Sequence, residues 1–263
     1  MTGSTNDLPD NLNACAGLVQ RGDPDRFLAA MAAPVAARRV LFPLYAMNVE
    51  VSRAPWVTQE PMIAEMRLQW WRDALEEIAG GDRIRRHEVV SPLAAVLRPA
   101  QAEALDGYVA ARRWDIYRDP FEDQADFDRY IDQSSGSLTW AAADALGPAE
   151  ETVVRDAAWA AGVANWLRAV PELEARGRVP LLDGTHKGVK TLAERALDRL
   201  SQARRARGAI SPEARPALLS VWEAGPILRQ AYRDPARVGD AALGQSGARK
   251  RLTLMARAAS GRW

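Results

Sequence analysis

Helical periodicity runs through nearly the whole of this sequence and leaves little room for a sheet. In EPMIAEMRLQWWRDALEEIAGG, Ile63, Met66, Trp70, Ala74 and Ile78 recur at steps of three and four, while Arg67, Arg72, Asp73 and Glu76 fall on other faces. Gly80-Gly81 ends that run. Asp23 offers an N-cap with Pro24 at the first helical position, and Ser91-Pro92 and Ser211-Pro212 repeat the signal. FDRYIDQSSGSLTWAAADALGP reads as one long helical stretch stopped by Gly147-Pro148. Alternating β-branched runs are absent, and no Asn-Gly or Asp-Gly pair sits between strand-like segments. The pattern predicts nine to eleven helices in one all-α domain spanning residues 1–263. The longest polar, Gly-containing break is PLLDGTHKGVK, Pro180 to Lys190, and no repeat of solenoid length appears.

Composition narrows the function classes. A net charge of +1 gives no global electrostatic case for nucleic acid. Cys15, the single cysteine, excludes an internal disulfide framework and reads as inert packing. No apolar run approaches the roughly 20 residues that span a bilayer. The N-terminal MTGSTNDLPDN matches neither a signal nor a transit peptide, so the expected location is cytoplasmic, at most peripheral to the inner membrane. Nine tryptophans suggest large rings packing or lining a wide interior.

Few residue constellations point to catalysis. His87 and His186 lack Cys, Asp or Glu at metal-ligand spacing. Ser134, Ser135 and Ser137 around Gly136 lack a nucleophile elbow and a partner histidine. The acidic cluster Asp119, Glu122, Asp123, Asp126 and Asp128 has no calcium-loop spacing and reads as a solvated loop entering a helix. Trp159 and Trp166 are seven apart and share a helical face, as core or as cavity lining. Over residues 245–263 a basic amphipathic helix is expected. It puts Leu252, Met255, Ala259 and Trp263 on one face and Arg249, Lys250, Arg251 and Arg257 elsewhere. Such a helix is either the last core helix with a solvated basic side or one that lies on an anionic membrane or a partner.

Three blocks, RRVLFPLYAMNVEV, MRLQWWRDALEEI and GVANWLRAVPELEARGRVPL, together resemble the squalene/phytoene synthase superfamily, over about residues 25–235. The resemblance implies an all-α isoprenoid synthase fold with a large central cavity. Enzymes of that family join two isoprenoid diphosphates, with Mg²⁺ neutralising the leaving group. Magnesium takes carboxylate oxygens, and carboxylates at i and i+4 on a helix face the same way. The family places two such aspartate-rich motifs on facing helices. Here the first falls near Ser52, Arg53 and Trp56, and the second on Ala169 and Leu173. Glu172 and Glu174 point to different sides of a helix, and Pro171 disfavours a helix through that point. The residues left to face a cavity or a phosphate are Arg53, Arg67, Asn165, Arg168, Arg176 and Arg178. No metal ligand, and hence no cofactor, is expected; Mg²⁺ enters only if the chain is a head-to-head prenyltransferase.

GVANWLRAVP and NVEV resemble the branch of this superfamily that contains the mitochondrial complex I assembly factor, regarded as non-catalytic. The leading expectation is therefore a catalytically silent assembly factor for respiratory NADH:ubiquinone oxidoreductase, partnering a complex I subunit or another assembly factor. A Mg²⁺-dependent prenyltransferase and an isoprenoid- or lipid-binding protein are the alternatives.

Overall fold

A computed structural model describes residues 7–81 and 83–263. The segment 1–6, which carries much of the reading for targeting signals, lies outside the described residues. The first half contains α1 (Asp7–Gly22), α2 (Pro24–Ala32), α3 (Val35–Arg53), α4 (Pro61–Gly80), α5 (Val90–Ala94), α6 (Pro99–Ala111), α7 (Gln124–Ile131) and α8 (Ser137–Leu146). The second contains α9 (Glu151–Ala175), α10 (His186–Arg205), α11 (Arg215–Leu218), α12 (Ala224–Arg233), α13 (Ala236–Gly239) and α14 (Gly247–Ser260). Among the described residues the β contact is one isolated bridge, Ala149 to Ile210. None of their helices is long and apolar enough to cross a membrane.

The 25-residue α9 is the axis of the fold. It packs against α10 and α12 and against α8. It also crosses a π turn, Asp132–Gly136, that joins α7 to α8. Gly162 makes that crossing possible, because a β carbon there would lie 2.7 Å from Ile131 Cγ2 and 2.8 Å from Ser135 Cβ. The Ser135 hydroxyl closes the contact by donating to the Ala158 carbonyl at 2.7 Å. Beside it, Trp114 stacks on Phe121 at 4.4 Å, and both rings meet Tyr130 and Trp166. Of the two tryptophans on α9, Trp166 faces this cluster, whereas Trp159 is covered by the Arg195 and Arg199 guanidiniums of α10.

Local signals explain most boundaries. The Asp23 carboxylate caps α2 by accepting from the Arg26 amide at 3.0 Å, and Gly81 ends α4 in the left-handed conformation. The acidic cluster serves α7, where Asp123 accepts from the Asp126 amide. His87 packs against Trp70 and Trp71.

Five expectations need correction. The buried stripe of α4 is Ala64, Leu68, Trp71, Ala74, Leu75 and Ile78, which keeps the expected Ala74 and Ile78 but leaves Ile63 and Met66 exposed. Pro171 does not end α9, since Leu167, Val170 and Leu173 are buried around it and their packing outweighs one lost hydrogen bond. Helix α11 starts at Arg215 rather than Ser211, whose hydroxyl instead accepts from the Ala214 amide in a preceding turn. The break after Pro180 is halved, because Thr185 caps α10 through the Gly188 amide at 3.1 Å.

The fifth correction concerns α14. Trp263 is buried, but Leu252 and Met255 face out. Gly261, at φ 60°, turns the chain back and separates Trp263 from the helix face it was expected to share. Leu254 packs inward instead. Lys250 joins it, reaching Asp25 at 2.8 Å and Glu223 at 3.1 Å, where Arg168 also meets Asp25 at 3.0 Å. Burial opposes the charge of Asp25, but hydrogen bonds from Lys250, Glu223 and Arg168 hold it down at about 2. Burial and the neighbouring Asp25 push Glu223 up.

Three outcomes check this packing. Gly162→Ala is expected to lower unfolding stability by about 1–3 kcal/mol in urea, since neither facing atom is the end of a flexible chain. Lys250→Met is expected to cost about 2 kcal/mol and to speed amide exchange in α14 while sparing α9. Burial pushes the Cys15 thiol up to about 12. At pH 8 its thiolate fraction is on the order of 10⁻⁴, so iodoacetamide should label Cys15 only after unfolding.

Candidate functional site

Where α3 and α9 face each other they enclose a cavity of about 300 Å³. Asn48, Ser52 and Arg53 come from the end of α3, with Trp56 from the 3₁₀ turn that follows. Asn165, Trp166, Ala169 and Leu173 come from α9. The five positions where the family would carry aspartates, Ser52, Arg53, Trp56, Ala169 and Leu173, thus line one space from opposite walls.

Several polar groups of this cavity engage one another. Arg26 pairs with Asp23 at the N-terminus of α2. Across the space, Arg112 pairs with Asp115 at 3.3 Å, and the Tyr130 hydroxyl donates to Asp115 at 2.9 Å. Arg112 also donates to Tyr130 at 3.2 Å and lies over the Tyr108 ring. The Tyr108 hydroxyl donates to Asn48 at 2.9 Å, and Ser52 donates to the same oxygen at 3.4 Å. Burial, then the charge of Asp115, pushes the Tyr130 phenol far up, so it remains a donor. Burial opposes the Arg112 charge, yet Tyr130, Tyr108 and Asp115 more than compensate and raise its pKa.

A divalent cation needs carboxylates that are free to turn toward it. The two in the cavity lining, Asp23 and Asp115, are each engaged by a guanidinium, and the motif positions offer a hydroxyl, a guanidinium, an indole and two aliphatic groups. Among the described residues no group of three or more His, Cys, Asp or Glu side chains could hold a metal ion. The residues present do not fit the family's magnesium site. What they offer instead is cationic: Arg53 is exposed and makes no ion pair among the described residues, and the buried Nε of Arg112 has no hydrogen-bond partner.

Of the six residues expected near a cavity or phosphate, the structure brings only Arg53 and Asn165 to this space. Arg168 points away from it, into the carboxylates of Asp25 and Glu223. Arg67 lines a separate hollow with Glu50, Trp70 and His87. Arg176 and Arg178 lie across Trp56 from the cavity, in a surface cleft of about 320 Å³ shared with Arg118. Arg178 is held there by the carbonyls of Trp114, Asp115 and Tyr117, and Arg176 by Glu172 at 2.7 Å. Sequence reasoning missed Arg26, Asn48, Arg112, Asp115 and Tyr130. The one local signal for them was the spacing of Arg112 and Asp115, three apart in RRWD, which suits an ion pair within one turn.

The fold and the sequence both have known counterparts. A dehydrosqualene synthase solved with a ligand superimposes with a TM-score of 0.76 at 14% identity, covering 97% of each chain. Squalene synthase HpnC from Alicyclobacillus acidocaldarius gives 0.74 at 16% identity, covering 89% of this chain and 97% of that one. Among curated proteins, the Drosophila melanogaster homolog of NADH dehydrogenase (ubiquinone) complex I, assembly factor 6 is 29% identical over 177 residues. That alignment covers 64% of this chain and 53% of the relative. Human complex I assembly factor 6 is 23% identical, over 63% of this chain and 51% of the relative. The chain thus spans about half the length of the curated relatives it matches. The family model for squalene/phytoene synthase matches residues 19–181, more than half the sequence and both walls of the cavity. The chain belongs to the squalene/phytoene synthase family.

Proposed function

We propose that this protein is a catalytically silent member of its family that acts in the assembly of respiratory complex I. The observation that carries the silent half is the cavity itself. Both walls lack carboxylates at the metal positions, and the two carboxylates that remain are tied to Arg26 and Arg112. Ionising an allylic diphosphate needs concentrated positive charge on the leaving group, which the family obtains from Mg²⁺. Supporting the assembly half are relatives named as complex I assembly factor 6 that match over 64% and 63% of this chain. The partner on this reading is a complex I subunit or another assembly factor, and no metal or cofactor is required.

A second reading concerns the cavity rather than the partner. Exposed Arg53 at its edge and the unpartnered Nε of Arg112 favour an isoprenoid or lipid with an anionic head, held by guanidinium groups without turnover. Native mass spectrometry of the purified protein checks for such a passenger.

Deleting the gene is expected to lower assembled complex I and NADH:ubiquinone oxidoreductase activity in membranes by severalfold. Complementation by an Asn165→Ala variant should restore them. Normal complex I in the deletion strain sinks the assembly reading. Purified protein given farnesyl or geranylgeranyl diphosphate with Mg²⁺ should release no diphosphate, and any metal-dependent turnover sinks the silent reading.

A further inference from the structure

Helix α14 is amphipathic with its apolar side turned to solvent. Leu252 and Met255 are 68% and 66% exposed on the outward face, with Ala256 and Ala259 beside them. Two of its charges are turned away from solvent. Lys250 is consumed by Asp25 and Glu223, and Arg257 donates to the Trp263 carbonyl at 3.2 Å. A surface helix ordinarily shows water its polar side. Here Lys250 and Arg257 anchor the helix, and the apolar ridge faces solvent without a partner among the described residues.

Cations with no counter-charge surround that ridge. Residues 241–263 contain no Asp or Glu, and Arg249 and Arg251 flank Leu252 in exposed positions. Beneath them, Arg204 of α10 and Arg229 of α12 converge over Gly225, where a β carbon would lie 3.3 and 3.2 Å from their Nη1 atoms. Among the described residues, the guanidiniums of Arg229, Arg233, Arg249 and Arg262 form no ion pair, whereas those of Arg204 and Arg257 both donate to the main-chain oxygen of Trp263, at 2.8 and 3.2 Å. Burial and the charges of Arg257 and Arg229 bring Arg204 down to about 10. Arg229 is lowered by burial and by Arg233 and Arg249, and Arg257 by burial and by Arg229 and Arg262. These guanidiniums are close enough to repel one another, and among the described residues no Asp or Glu side chain pairs with them.

We infer that this face docks on an anionic phospholipid bilayer, with Leu252 and Met255 entering the headgroup–acyl boundary and the surrounding arginines meeting lipid phosphates. Apolar burial and attraction to negative lipids are the two contributions that hold an interfacial helix. The charge pattern selects this occupant, because a uniformly cationic rim around a small apolar ridge complements a surface that is apolar inside and anionic at the edge. The inference is independent of the assembly reading, since vesicles contain no complex I.

The test is co-sedimentation of the full chain with vesicles of phosphatidylcholine alone or mixed with phosphatidylglycerol. Binding is expected only to the mixed vesicles and should weaken steeply as salt rises. Leu252→Ser with Met255→Ser should cut partitioning about tenfold. Arg249→Gln and Arg251→Gln should each cut it about fivefold. All four side chains are exposed, so the unfolding midpoint should not move. Absence of binding to the mixed vesicles overturns the assignment, as does equal binding to phosphatidylcholine. So does binding that ignores the Leu252 and Met255 changes and is matched by soluble polyglutamate, which would mark a surface for acidic protein.

Discussion

A polar cavity inside a helical protein has to neutralise its own charges, and here Arg112 and Asp115 meet that requirement. Neither group is affordable alone in a poorly solvated wall, where an unpaired charge costs several kcal/mol. Tyr130, Tyr108 and Asn48 extend the pair into a network that ties the turn after α6 to α3 and to α7. The network fixes the shape of the space and also determines its chemistry. Asp115 serves Arg112 and Tyr130 and is not free to take a metal. With Asp23 engaged by Arg26 in the same way, the cavity has carboxylates but no open ligand set.

Sequence periodicity carries the class of this fold because tight helical spacing over 263 residues admits few alternatives. It does not carry the phase of each helix. On α4, two apolar stripes compete, and the choice between Ile63–Met66 and Ala64–Leu68 depends on whether α6 offers a surface to one of them. On α14 the usual rule reverses, because Lys250 finds two carboxylates in residues 27 and 225 positions away, and this contact decides which side turns inward. Pro171 shows the same hierarchy at the scale of one bond. The loss is local, while the burial of Leu167, Val170 and Leu173 is set by the whole core.

The cavity was legible where motif positions could be matched and illegible where contacts are distant. Ser52, Arg53, Trp56, Ala169 and Leu173 line one cavity. Arginines near those positions were a poorer guide, since a guanidinium reaches far and its destination depends on what lies opposite. Arg168 adjoins Ala169 in sequence, but at 100° of helical rotation it faces Asp25 rather than the cavity. Arg178 is drawn to three carbonyls at the end of the turn after α6, a set of acceptors that no sequence pattern announces.

Those two neighbours on α9 also connect the interior with the surface. Ala169 looks into the cavity, while Arg168 holds Asp25 and Glu223, the same carboxylates that seat Lys250 of α14. The position of α9 rests on close packing at Gly162 and on the ion pairs of Arg168. One helix thus supplies both a wall of the cavity and a guanidinium to the carboxylates that seat α14.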